Sequence, residues 1–217
     1  MIFPSFIFLF AFLPISLCIW LSRLTLRVRL FFLTLASYIF YGWWDFRFTG
    51  LLALSTLIDY WCGKNIFANN ENDKIRKKYL YISITSNLSL LGFFKYFDFF
   101  IESFNTAFTF LNIQTHHLPL LHIILPVGIS FYTFQSISYS VDIYRKEVEP
   151  APDFLHFAAY VSLFPQLVAG PIVRYCDMAR QLKNLKNKKV TLTEISYGTW
   201  YFFIGMSKKI VIDDNIA

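Results

Sequence analysis

The sequence predicts an all-α, polytopic integral membrane protein with about seven to eight apolar segments, some of them short or broken, forming a single membrane domain over residues 1–217. Three observations predict it. The composition is 56% hydrophobic, 20% aromatic and only 16% charged, where a soluble domain is roughly 45–50% apolar and about 25% charged. The apolar residues fall in runs of a length that suits bilayer helices, separated by charged clusters. The charges are also distributed unevenly between alternate loops. A large soluble core is the competing explanation, but too little polar sequence remains to cover its surface.

The segments run, in order, over about Phe3–Leu21, Leu30–Trp44, Phe48–Cys62, Tyr79–Phe94, Phe97–Leu111, Ile123–Tyr144, Phe154–Val173 and Ile195–Ile212. Several are shorter than the ~20 residues of a straight span and are expected to be tilted, re-entrant or buried among neighbours. The N-terminus has no basic region ahead of its apolar run and no small-residue cleavage site, so it does not read as a cleavable signal. With that terminus outside, three inner loops hold 14 lysines and arginines: Arg23, Arg27 and Arg29, then Lys64, Lys74, Arg76, Lys77 and Lys78, then Arg174, Arg180, Lys183, Lys186, Lys188 and Lys189. The outer loops hold 4: Arg47, Lys95, Arg145 and Lys146. This bias predicts a multi-pass protein of the inner (plasma) membrane, with lipid as its surroundings. Tyr38, Tyr41, Trp43 and Trp44 cluster at the outer end of the second segment, where an interfacial aromatic belt would sit.

The net charge of +6 does not imply nucleic acid. The most polar run, Asn69–Lys78, is interrupted by Glu71 and Asp73 and lacks an aromatic platform. Cys18, Cys62 and Cys176 show no metal-ligand spacing and no disulfide framework. His116, His117 and His122 cluster in NIQTHHLPLLH, but no carboxylate or thiol lies beside them and a metal would need further ligands. No metal site is therefore assigned. No nucleophile elbow, zinc-protease helix, phosphate loop or dinucleotide fingerprint occurs.

The stretch from Leu125 to Arg174 combines apolar character with recurrent polar residues. Gln135, Tyr139 and Asp142 fall at i, i+4 and i+7, on one face of a helix. Such a stripe is costly in hydrocarbon unless it faces protein or water. Asp142 has Arg145 three residues on as a candidate ion-pair partner. In FPQLVAGPIVR, Pro165 and Pro171 each remove a backbone donor and Gly170 adds freedom, so a broken helix is expected, with Gln166 and Arg174 as supporting polar groups. Gln135, Tyr139, Asp142, Gln166 and Arg174 are the candidate lining of a substrate passage; a structural ion pair and a plain proline kink are the simpler readings.

LPVGISFYTFQSISYSVDIYR followed by FPQLVAGPIVRY resembles the membrane-bound O-acyltransferases, in particular their alginate O-acetyltransferase branch. ASYIFYGWWDFRF, LLGFFKYFDFF and KKIVIDDNIA agree in the same order along nearly the whole chain. The resemblance implies an acyl group, acetyl in that branch, taken from a cytoplasmic donor such as acetyl-CoA. No tightly bound cofactor is implied. The group would pass across the membrane to extracytoplasmic acetyltransferase partner proteins, which place it on a polysaccharide. It also implies an essential histidine further downstream than any position here, so no catalytic residue is carried over. The chain is then expected to be the N-terminal portion of a longer protein. A non-catalytic membrane remnant or scaffold, and a transporter or flippase, are the alternatives; an internal repeat would favour the transporter, and none is visible.

Overall fold

The computed structural model describes residues 5–110, 119–121, 123–167, 170–185, 190–208 and 211, with side chains omitted at 183–185. The described residues form helices and connecting turns, with no strand among them. A π-helical turn, Phe8–Phe12, runs into α1, Leu13–Leu21. Then come α2, Leu26–Gly42; α3, Arg47–Ala68; α4, Asp73–Phe110; α5, Ile129–Tyr144; α6, Phe154–Ser162; α7, Phe164–Leu167; α8, Tyr175–Leu185; and α9, Leu192–Lys208. The main core lies between α3, α4, α5 and α6 around Leu52, Ile66, Tyr132, Tyr139, Ile143 and Phe157. Gly63 lets α3 and α5 approach closely: a Cβ there would meet the Tyr139 ring at 2.6 Å.

Among the described residues no helix is both long and apolar enough to cross a membrane. The reasons are local. α1 and α6 are strongly apolar but have 9 residues each. α3 is 22 residues long but carries Asp59, Lys64 and Asn65. α4 begins in lysines and includes Lys95, Asp98 and Glu102. Large apolar side chains nevertheless cover much of the exterior: Phe10, Phe99, Trp200 and Phe203 are all exposed.

The fourth and fifth expected segments are one helix. α4 has 38 residues, about 57 Å at 1.5 Å per residue, so the expected outer loop at Lys95 does not exist. A single charge inside an otherwise helix-compatible run does not break it. Asp98 has a local duty there, accepting the backbone N–H groups of Leu121 (3.0 Å) and Ile123 (2.9 Å) as the chain returns. This merger reverses the direction of α5. Its C-terminal end lies beside the start of α4: Arg76 donates to the Tyr144 carbonyl, and the Tyr144 hydroxyl donates to Asp73 at 3.0 Å. Arg145 and Lys146, expected at the outer surface, therefore sit at the end that also holds Lys64 and Lys74. The expected belt divides: Trp43 and Trp44 are exposed, whereas Tyr41 is buried and Tyr38 packs against the core.

Candidate functional site

The seventh expected segment doubles back. Asp153 opens it as the N-cap of α6, accepting from the His156 N–H at 2.9 Å, with His156 Nδ1 2.7 Å away. Burial pushes the Asp153 carboxyl up, but the His156 contacts and nearby Arg27 more than offset this and hold it below the usual carboxylate range. Lys64 reaches the adjacent Pro152 carbonyl at 3.3 Å, which fixes this entry at the cation-rich end. α6 then runs inward and stops at Leu163, whose φ of −52° and ψ of 109° leave the helical region. The break frees the N–H of Phe164, and Ser37 Oγ on α2 accepts it at 3.2 Å. Buried backbone groups away from water need such partners.

α7 carries Pro165 in its first turn, where a missing N–H is tolerated. Its end reaches the start of α5. There Gly128, the N-cap, has φ 77°, and a Cβ on it would collide with the Leu167 carbonyl oxygen. Gly170 lies hard against α7: a Cβ on it would stand 2.5 Å from Gln166 Cα. Residues 170–174 then return without helix, and Arg174 arrives back at the end where the segment entered.

Three of the five residues singled out from sequence hold this loop in place. Gln135 is buried and donates through Nε2 to the Tyr160 carbonyl at 2.9 Å. The Tyr160 hydroxyl in turn donates to the Val173 carbonyl at 2.8 Å, tying the inward limb to the returning one. Tyr139 is buried; its hydroxyl accepts the Ala151 N–H at 3.2 Å and its ring packs 4.2 Å from that of Phe157. Asp142 pairs with Arg174, Nε to Oδ2 at 3.2 Å and Nη2 to Oδ1 at 2.5 Å, and Glu147 takes the same Nη2 at 2.6 Å. These two carboxylates raise the Arg174 pKa and keep it firmly charged. The expected Asp142–Arg145 pair does not form. Arg145 faces Glu147 at 3.9 Å instead, because the returning limb brings a better-aligned guanidinium to Asp142.

Gln166, at the tip, is apart from the other four. It lines an apolar cavity of about 440 Å³ between the π-turn, α1, α2, the loop and α8, with Trp20, Leu33 and Phe164 among its walls. Its Oε1 is buried, and no described residue donates to it. An amide in that position can accept from, or donate to, a polar atom of a guest whose remainder is apolar.

Sequence reading missed several participants. Tyr175, Met178, Ala179 and Leu182 stand at i, i+3, i+4 and i+7 on α8, an amphipathic helix inside what reads as a basic loop, and Tyr175 and Leu182 are buried against the core. That spacing was a usable signal; nothing in the sequence marked Tyr160 or Ser37. A second polar group fills the α3–α4–α5 interface: buried Asp59 accepts from Ser83 at 2.6 Å and from Asn87 at 2.8 and 2.9 Å, and Ser83 contacts Ser140 at 2.8 Å. His116, His117 and His122 lie outside the described residues. Among those described, no group of His, Cys, Asp or Glu is arranged to hold a metal.

An all-helical bundle with an apolar exterior, wrapped round one doubled-back segment whose polar groups are tied inward, is the class of architecture defined here. The chain belongs to the MBOAT, membrane-bound O-acyltransferase family, whose sequence profile matches residues 39–217. It is 39% identical over its whole length to the probable alginate O-acetylase AlgI of Pseudomonas syringae pv. tomato, of which it covers 41%. It is 38% identical to the protein of that name from Pseudomonas aeruginosa, again covering 41%. A peptidoglycan O-acetyltransferase of Helicobacter pylori is 36% identical over an alignment that takes in all of this chain and 45% of that relative. The chain thus spans less than half the length of these curated relatives. No solved structure matches it.

Proposed function

We propose that this chain forms the N-terminal portion of a membrane-embedded O-acetyltransferase. In this reading it passes an acetyl group from a cytoplasmic donor such as acetyl-CoA toward extracytoplasmic partner proteins that modify a cell-envelope polysaccharide. The carrying observation is the doubled-back segment 153–174, within a chain similar end to end to proteins named as O-acetylases. Non-helical backbone at bilayer depth is tolerated only where protein or a water-filled cavity satisfies its polar groups, and a passage also needs a space that a small guest can enter. The Gln135, Tyr160 and Ser37 contacts supply the first, and the cavity at Gln166 the second.

In this reading the cation-rich end faces the cytoplasm, as the positive-inside rule requires, and the N-terminus lies outside. Arg174 and Asp142 fix the mouth of the loop, and Gln166 presents its amide where the acyl carbonyl passes. In this reading no residue of this chain is assigned the transfer chemistry, and the role of this part is to shape and align. The test is polysaccharide acetylation by the full-length protein in cells, comparing wild type with Gln166→Ala. Retained expression and membrane insertion with a severalfold drop in O-acetyl content supports the reading; unchanged acetylation overturns it. Measuring acetyl on both exopolysaccharide and peptidoglycan identifies the acceptor.

A further inference from the structure

We infer that the outer face of α4 is a binding site for an anionic phospholipid. One face of α4 packs on α3 and α5 through Ser83, Asn87 and Leu91, all buried. The opposite stripe carries Lys74, Lys78, Tyr81, Thr85, Ser89 and Phe93 at successive spacings of three and four, which align on a helix. Lys74, Lys77 and Lys78 are exposed and open onto a shallow groove continued by Tyr81 and Thr85. Asp73 neutralises Lys77 at 2.9 Å. Among the described residues no carboxylate pairs with Lys74 or Lys78.

The stripe changes character along its length as a phospholipid does. Two uncompensated ammonium groups come first, and then Tyr81, 64% exposed, at the level of an interfacial aromatic. Beyond it Thr85 and Ser89 form a low shelf, and a Cβ on neighbouring Gly92 would meet nothing within 4 Å. Phe93, exposed, closes the shelf about 18 Å from Tyr81 at 1.5 Å per residue. That is close to one leaflet of a ~30 Å hydrocarbon core. Charge complementarity selects the headgroup: a phosphate with net negative charge meets both lysines, whereas a zwitterionic headgroup brings its own cation against them.

The site rests on the membrane reading above, and the test separates the two. Full-length protein in detergent is titrated with phosphatidylglycerol or phosphatidylcholine, and bound lipid is counted by native mass spectrometry. Preferential retention of phosphatidylglycerol is expected, weakened roughly ten- to thirtyfold in the Lys74→Gln, Lys78→Gln double variant. The Lys74→Arg, Lys78→Arg variant should keep it. Removing two other exposed cations at the same end, Arg23→Gln with Lys146→Gln, should leave it in place. Equal binding of both lipids, or equal loss in the control, overturns the site while leaving the membrane reading standing. Binding of neither lipid overturns both. A second protein chain found on this face in place of lipid overturns the site alone.

Discussion

Arg174 and Asp142 stand 32 positions apart in sequence, yet the guanidinium of one lies against the carboxylate of the other through Nε and Nη2, at 3.2 and 2.5 Å. The carboxylate is almost fully buried, at 4% side-chain exposure, while Arg174 is 49% exposed. The pair closes the doubled-back segment at the end where it began. Removing one partner strands a buried charge, whereas removing the other strands a half-solvated one.

Asp142→Ala and Arg174→Ala should therefore differ. Leaving a buried ion without its partner is strongly destabilising in a fully enclosed site, and solvent at Arg174 moderates the loss. Arg174→Ala is expected to be the worse, because the charge left behind is the buried one. Thermal unfolding in detergent reads the order, and the reverse order would refute the burial argument. On the proposed function, both variants should also lower polysaccharide acetylation by the full-length protein.

Gly128→Ala should detach the tip of the loop. A side chain at φ 77° is strained, and its Cβ would occupy the position of the Leu167 carbonyl oxygen, so a loss of about 3 kcal/mol or more is expected. The sensitive readout is limited trypsin cleavage after Arg174, which should accelerate in this variant. A cleavage rate equal to wild type would show that the tip does not depend on this contact.

Asp59 makes its hydrogen bonds with neutral donors only. Asp59→Asn keeps the shape and an acceptor, and should change stability by less than about 1 kcal/mol. Asp59→Ala leaves the Ser83 hydroxyl and Asn87 amide without this acceptor and should cost about 2–3 kcal/mol. Denaturation midpoints of the two variants distinguish them, and equal effects would mean that the donors find other partners.

The reversed direction of α5 makes a topological prediction. Single cysteines placed at Lys146 and at Lys74 should be labelled from the same side of the membrane, and one at Trp43 from the other. An impermeant thiol reagent applied to intact cells and to inverted vesicles measures this. Opposite labelling of positions 146 and 74 would restore the alternation that the loop charges alone suggest.

Much of the site was legible from residue spacing. Gln135, Tyr139 and Asp142 share a face because helical period is a local property. The break near Pro165 follows from a missing donor, and Gly170 marks the turn beside it. The partners were not legible. Asp142 has Arg145 within one turn, and nothing in the sequence says that Arg174 arrives from further away with better alignment. Lys95, between Phe94 and Phe97, reads as a loop between two spans, because hydropathy registers charge and not continuity; helix propensity carries the chain straight through.

The sequence by itself determined that the chain is helical, that large apolar side chains are left for its exterior, and that one apolar segment must break. Each of these depends on residue type or on neighbours within a turn or two. Tertiary structure alone decided that the broken segment returns to the end it left, that α4 is continuous and so reverses α5, and that the polar stripe ties the loop down on three sides while Gln166 faces the cavity. Those outcomes depend on which distant groups satisfy freed backbone donors and buried charges, and that competition is resolved only when the helices pack.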